Sequence, residues 1–282
     1  MDLIDIGINL THDSFADDRA AVLASAQAAG VSQLIVTGAT LEGSVAALEL
    51  ARAHPNLLFA TAGVHPHHAV TLTAAELPQL RALLLQPGVV AAGECGLDYF
   101  RNYAPHAAQR HAFTLQLQLA QECGKPLFLH QRDAHHDFLA ALRAMAQPLR
   151  GVAHCFTGGQ QELESYLELG LHIGVTGWIC DERRGQHLQQ LVSRIPRGRL
   201  LLETDGPWLL PRDLLPKPTL RRNEPRFLPH IAATVARWRN ESVEDCAAHT
   251  SAAARALFEL PARTTPAGAA AARADAMKEG SL

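Results

Sequence analysis

Short apolar runs rich in valine, isoleucine and leucine recur along the chain, each followed by a longer stretch whose apolar positions fall at helical spacing. The runs predict strands at Leu3–Ile8, Gln33–Thr37, Leu57–Ala62, Val89–Glu94, Pro126–His130, Gly151–His154, Leu171–Val175 and Leu200–Glu203. Helices are predicted over segments such as Asp17–Ala29, Ala74–Leu85, Ala107–Cys123 and Gly185–Arg194, which have Gly or Pro at their margins. Two-residue hairpin turns are missing from the connections, so the strands must run parallel. Eight strand-then-helix units are the number that closes a (β/α)₈ barrel, with an open doubly wound sheet as the alternative. An eighth helix falls near Pro225–Arg239, and Val243–Phe258 predicts one more, packed against the outside. After Pro261 the sequence turns to Ala, Gly and Arg, so residues 1–260 are read as one domain and 261–282 as a mobile or weakly helical appendage.

Composition narrows the picture. A chain of 282 residues, 48% hydrophobic, can bury one large core. A formal charge of −3 removes the signature of a protein that neutralises many phosphates along a duplex, so any nucleic-acid contact must be local. The five cysteines, at 95, 123, 155, 180 and 246, make no CxxC pair and fit reduced thiols in a cytoplasmic protein. The start Met1-Asp2-Leu3-Ile4-Asp5 has an acid where a signal peptide needs basic residues, and no apolar run approaches a membrane span. A monomer with no membrane partner is expected.

The candidate chemistry lies at the strand ends. Glu94, His130 and His154 each stand at the last position of an apolar run, and Asp205 follows another, Leu200-Leu201-Leu202-Glu203-Thr204. The C-terminal ends of barrel strands carry the active site, so all four converge on one mouth. Their gaps of 36, 24 and 51 residues match one, one and two units of roughly 30 residues, which puts them on strands four, five, six and eight. Two imidazoles and two carboxylates make a borderline site suited to Zn²⁺, Mn²⁺ or Mg²⁺. Any one of these residues alone reads as structural; four at the right strands read as a metal site. Cys95 and Cys155 adjoin ligands, but strand alternation points them to the opposite side.

Six ordered segments then acquire a common meaning. Gly63-Val64-His65-Pro66-His67, Gly93-Glu94-Cys95-Gly96-Leu97-Asp98, His130-Gln131-Arg132-Asp133-Ala134, His154-Cys155-Phe156-Thr157-Gly158, Glu203-Thr204-Asp205-Gly206-Pro207 and Arg222-Asn223-Glu224-Pro225 resemble the signature segments of TatD-type deoxyribonucleases. The resemblance covers about residues 1–260. It implies a TIM barrel of the metal-dependent hydrolase superfamily, with Glu94, His130, His154 and Asp205 as ligands. It also implies Mg²⁺-dependent 3′→5′ exonuclease action on single-stranded DNA or RNA ends, and participation in DNA repair or degradation. Most of that family opens with Asp-x-His-x-His, whereas this chain reads Asp5-Ile6-Gly7-Ile8-Asn9, a replacement in which it is similar to the TatD-proper branch, as it is in Gly177-Trp178-Ile179-Cys180-Asp181-Glu182-Arg183-Arg184-Gly185. Glycine offers no side-chain ligand, so one ion is expected to bind tightly and a second only weakly.

Roles follow from the chemistry of phosphodiester hydrolysis. A metal at Glu94, His130 and His154 acidifies water and neutralises phosphate charge, while Asp205 serves as a further ligand, as general base, or as both in part. Glu94 and Asp205 are therefore the candidate catalytic pair. His65 and His67 are candidates to donate to the scissile phosphate, or are merely histidines of a surface loop. Arg132 forks onto a phosphate or onto a carboxylate that orients a ligand. Arg222 and Asn223, in a polar run after strand eight that also holds Arg212, Lys217 and Arg221, are candidates for phosphate binding or a solvated charge run. Trp178, Tyr99 and Phe100 are candidates to stack bases or to pack inside. Two other functions remain open on the sequence: hydrolysis of a small amide or ester by the same metal chemistry, and phosphate binding without catalysis.

Overall fold

The computed structural model describes residues 1–262, so the tail expected over 261–282 lies, from residue 263 on, outside the described residues. Eight parallel strands follow one another around a single sheet in chain order. They are β1 Leu3–Ile8, β2 Val31–Val36, β3 Leu58–Ala62, β4 Val89–Asp98, β5 Leu127–Arg132, β6 Gly151–Ala153, β7 His172–Val175 and β8 Leu200–Leu202. The connecting helices are α1 Arg19–Ala28, α2 Leu41–Ala53, α3 Leu77–Leu84, α4 His106–Glu122, α5 His135–Arg143, α6 Gln160–Glu168, α7 Gln186–Leu191 and α8 Leu228–Arg239, and α9 Val243–Phe258 ends the described fold. Among the described residues no helix is long and apolar enough to cross a membrane.

Closure falls between the first and last strands, where backbone pairing is thin. Asp205 N–H donates to Gly7 O at 2.8 Å and Asn9 N–H to Gly206 O at 2.9 Å. Buried Asp5 supplies the rest, its carboxylate accepting the Thr204 N–H at 2.9 Å and the Thr204 hydroxyl at 2.5 Å. A side chain thus does part of the work that a strand ladder does elsewhere in the barrel.

Inside the barrel, Ile4, Ile6, Ile35, Ala91, Phe128, Val152 and Leu201 form one cluster. Helix α9 belongs to that cluster through Ala253, Ala254, Leu257 and Phe258, so it stops the N-terminal end of the barrel instead of lying on its flank as the sequence led us to expect. Small alanines let it approach closely, and Ser251 and Arg255 bond to Asp2 beside the start of β1. The opposite end is left for the site.

β4 and β5 run beyond the apolar segments that announce them. Their ladder continues through Gly96↔His130, Leu97↔Gln131 and Asp98↔Arg132. Gly96 permits this, since its φ is +149° and an added Cβ would overlap the His130 carbonyl. Glu94 and His130 therefore sit within strands rather than at their ends, and Asp98 and Arg132 are carried up to the mouth.

Burial pushes the Asp5 carboxyl up to about 7, against the pull of its Thr204 and Gly7 hydrogen bonds. The folded chain therefore holds the proton more tightly than the unfolded chain. The stabilisation this gives is fully present below the ordinary value of 3.8 and is lost as pH rises through about 7. We expect Asp5→Ala, which strands the Thr204 N–H, to cost on the order of 2–3 kcal/mol in urea unfolding, and Asp5→Asn to flatten the pH dependence of the midpoint over that window. An unchanged midpoint in Asp5→Ala would show that closure does not depend on this side chain.

Candidate active site

Three imidazoles converge on one carboxylate oxygen. Glu94 Oε1 lies 2.8 Å from His154 Nε2, 3.0 Å from His130 Nδ1 and 3.3 Å from His65 Nε2. His130 comes from β5, His154 follows β6, and His65 opens the 3-10 turn Pro66–Thr71 after β3. The mouth thus joins Glu94, His130 and His154, although the first two lie within β4 and β5 and not at their ends, and adds His65, which the sequence suggested as a phosphate donor or a surface-loop histidine.

Two further carboxylates stand behind the imidazoles. Asp98 Oδ2 is 2.7 Å from His67 Nε2 and 3.4 Å from His130 Nε2. Its other oxygen accepts the N–H groups of Phe100 and Arg101 at 2.9 and 2.8 Å. Glu203, fully buried, lies 3.3 Å from His154 Nδ1 and accepts the Cys155 N–H at 2.5 Å. Carboxylates in this position fix the orientation and raise the basicity of an imidazole whose other nitrogen faces a metal. The strand alphabet alone does not announce them, but both are acids in segments shared with ligands, at Gly-Leu-Asp and Glu-Thr-Asp.

The space for Glu203 is made by missing side chains. A Cβ at Gly7 would stand 2.5 Å from Glu203 Oε2, and one at Gly174 2.5 Å from Oε1. Glu203, which backs His154, thus lies against the bare backbone of Gly7 and Gly174. Asn9, at the other replaced position, donates its amide to Asp205 Oδ1 at 3.0 Å and to Gly206 O at 3.2 Å. Asp205 therefore stands beside the imidazole cluster, held by Asn9 at a φ of 54°.

The charges settle accordingly. Burial works against ionising Glu94, but the fields of His154 and His65 and hydrogen bonds from His130 and His154 outweigh it, so its carboxyl lies well below the ordinary range. Burial is likewise overcome at Asp98, by His130 and His67, which hold its carboxyl far down. His154 is raised well above the usual imidazole value, since Glu94 and Glu203 outweigh its burial, and His130 is raised because Asp98 and Glu94 outweigh its own. His65 goes the other way, to about 4, because burial prevails over Glu94 there. Asp205 is pushed up to about 7 by burial, which prevails over the field of His154, with Glu94 and Glu203 adding to it.

The other residues singled out in the sequence divide. His67 joins the network through Asp98. The Arg132 guanidinium lies 4.2 Å over the Phe100 ring and 5.8 Å from that of Trp178, and among the described residues it has no carboxylate partner. Arg222 is not free for phosphate: it is bonded to Asp18 at 2.7 Å and to Glu224 at 2.8 Å and lies over Phe15. Asn223 is wholly buried, donates to Thr204 O at 2.7 Å and accepts the Glu224 N–H at 3.0 Å, so it braces the Asp205 loop. Tyr99 stacks on His106 and donates to Asp137, which removes it from the mouth, whereas Phe100 is exposed. Cys95 is core, but Cys155 is not turned away: β6 stops at Ala153, the backbone at Cys155 has φ 46°, and Asp205, Glu203 and Glu94 are all near enough to add to the effect of burial in raising its thiol.

The donor set fits a divalent cation. Nitrogen and carboxylate ligand atoms of His65, Glu94 and His130 lie within 4.8 Å of one another, with Asp98 behind His130 at 3.4 Å from its Nε2. Two more such groups occur among the described residues. In one, Glu241 is already neutralised by Arg239 and Arg197 at 2.8 and 2.9 Å; in the other, His230 is paired to Asp213 at 2.7 Å and the Cys180 thiol donates to Thr234.

Replacing Glu203 by Gln removes the charge beside His154 Nδ1. The His154 titration, followed by imidazole NMR, should move to lower pH, and Gly7→Ala should disturb the same resonance by displacing Glu203. A titration unchanged in both would mean that Glu203 does not act on His154.

Known proteins share both the sequence and the barrel. The family described as TatD related DNase matches residues 4–259. A Pantoea sp. (strain At-9b) protein named 3′-5′ ssDNA/RNA exonuclease TatD is 54% identical over 259 residues, which are 92% of this chain and all of the relative. Its Salmonella typhimurium namesake is 50% identical over 92% of this chain and 99% of the relative. Among solved structures, a TatD homolog from Escherichia coli K12 superposes with a TM-score of 0.83 at 30% identity, covering 92% of this chain and 98% of the other. A TatD family hydrolase from Entamoeba histolytica gives the same TM-score at 26% identity, over 93% and 99%. The chain is a member of the TatD-related deoxyribonuclease family.

Proposed function

We propose that this chain is a metal-dependent 3′→5′ exonuclease acting on the ends of single-stranded DNA and RNA, an activity suited to DNA repair or degradation. The convergence of His65, His130 and His154 on Glu94 Oε1 at the barrel mouth carries the reading. The 50–54% identity to relatives named for that activity, over nearly their whole length, supports it. Five free cysteines support a reducing compartment, the cytoplasm.

Glu94, His130 and His154 would hold one divalent ion, with His65 within reach, Mg²⁺ serving activity and Zn²⁺ or Mn²⁺ competing for the imidazoles. Bound there, such an ion acidifies a water and neutralises charge on the phosphate. The protein's own groups supply the rest. Asp205, kept from ionising fully near neutrality by its burial, takes the proton of the attacking water and is aimed by the Asn9 amide. Arg132, without a carboxylate partner among the described residues and steadied by aromatic faces, pairs with a non-bridging phosphate oxygen. Asp98 and Glu203 hold the imidazoles in register. Gly7 leaves no second-ion ligand on β1, so a single tightly held ion is the expected stoichiometry.

His130→Ala and His154→Ala should each reduce degradation of a 5′-labelled single strand to the level seen in excess chelator, with the circular dichroism spectrum unchanged. Retained nuclease activity in either folded variant would refute the metal assignment. Asp205→Asn should lower kcat by roughly 10²–10⁴ with little change in KM, and a closed circular single strand should resist the wild-type protein because it offers no end.

A further inference from the structure

Exposed aromatic side chains stand on two sides of the mouth. On the β4 side, Phe100 and Tyr103 are 51% and 68% exposed in the loop that leads into α4. Phe100 carries the Arg132 guanidinium on its ring at 4.2 Å, and Tyr103 meets the His67 ring edge-on at 4.7 Å. On the β8 side, Trp208 is 50% exposed, its N–H bonded to Asp205 O at 3.1 Å and its ring edge-on to His12 at 5.4 Å. β4 and β8 are four strands apart in an eight-stranded barrel, so these walls face each other across the mouth. In strand order Glu94 in β4, His130 in β5, His154 after β6 and Asp205 after β8 run along the arc from one wall to the other.

These rings are half or more exposed, and the partners they do have, Arg132, His67 and His12, leave much of each ring open to solvent. Every base presents a π face, and stacking on aromatic side chains binds unpaired strands without sequence preference. The guanidinium groups of Arg132 and Arg101, 4.2 and 5.6 Å from the Phe100 ring, give that wall the positive charge a phosphate requires. We propose that the mouth is a two-base clamp: Trp208 stacks the base on one side of the scissile phosphate, and Phe100 with Tyr103 stacks the base on the other, splaying the two apart so that the phosphodiester between them drops onto the cluster. The inference rests on the exonuclease reading and adds the source of its strand selectivity. Bases held in a duplex are stacked on each other and paired, and cannot part to opposite walls.

The test measures binding with cleavage suppressed. Asp205→Asn protein is titrated, by fluorescence anisotropy, with 5′-labelled oligothymidylates intact or carrying one abasic residue at the 3′ terminus or at the next position inward. Each abasic residue should weaken binding by roughly ten-fold. Adding Trp208→Ala should abolish the penalty at one of the two positions, and adding Phe100→Ala with Tyr103→Ala should abolish it at the other. Trp208→Tyr or Tyr103→Phe should restore the penalty, which separates stacking from a folding defect. Both walls governing the same position, or both penalties surviving in every variant, would overturn the clamp. Failure of the wild-type protein to cleave either the oligonucleotide or bis(p-nitrophenyl) phosphate would instead overturn the exonuclease reading, while the binding pattern still decides the clamp.

Discussion

A buried negative charge must be paired, and the architecture of this mouth follows from how Glu94 meets that requirement. Its carboxylate is almost fully removed from water, and isolated it would be costly by several kcal/mol. Three imidazole nitrogens from three separate chain segments surround one of its oxygens. Those imidazoles are desolvated in turn, and Asp98 and Glu203 stand behind them. At His130 and His154 the result is an imidazole set between two carboxylates, whereas His65, lowered to about 4 by burial, approaches Glu94 as a neutral ring. A cation placed among these groups would replace protons in an arrangement already built for positive charge.

Much of this was legible in the sequence because barrel strands advertise themselves by apolar runs, and ligands at their C-terminal ends share a mouth by topology alone. Glu94, His130 and His154 were legible for that reason. Asp98 was not, because the ladder of β4 and β5 continues through residues that look polar enough for a loop: pairing depends on the backbone, and Gly96 allows it where side-chain character gives no sign. Glu203 was hidden by adjacency, one acid among two in Glu-Thr-Asp, with only the fold to say which faces His154 and which faces Asn9. Arg222 and Asn223 read as phosphate groups because charge and position after the last strand favour it. Their partners Asp18 and Thr204 are about 200 and 20 residues away, contacts that only the closed barrel creates. Helix α9 was visible as a helix, but sequence periodicity reports which face is apolar and not which surface that face covers.

The two walls of the mouth were half legible. Phe100 was visible as an aromatic near a ligand, whereas Tyr99 beside it turns inward onto His106 and Asp137. Trp208 lies in a loop whose direction depends on the Asn9–Gly206 bonds that close the barrel. Fold closure and the geometry of the mouth are thus linked through the same few residues of β1 and the β8 loop, Asp5, Asn9, Thr204 and Gly206. Loosening that seam would move Asp205 and Trp208 together.

The slot shared by Gly7 and Glu203 couples two positions far apart in the chain. A histidine placed at position 7 would bring its Cβ to 2.5 Å from a carboxylate oxygen, so the first effect of that single substitution is to shift the group that backs His154. Shrinking Glu203 first leaves His154 without its partner while position 7 still offers nothing in exchange. Either single change reaches His154 through the same carboxylate, so the effects of substitutions at positions 7 and 203 are not expected to add. A residue larger than glycine at position 7 therefore acts on the His154 ring at second hand, through a carboxylate it displaces, without touching the ring itself.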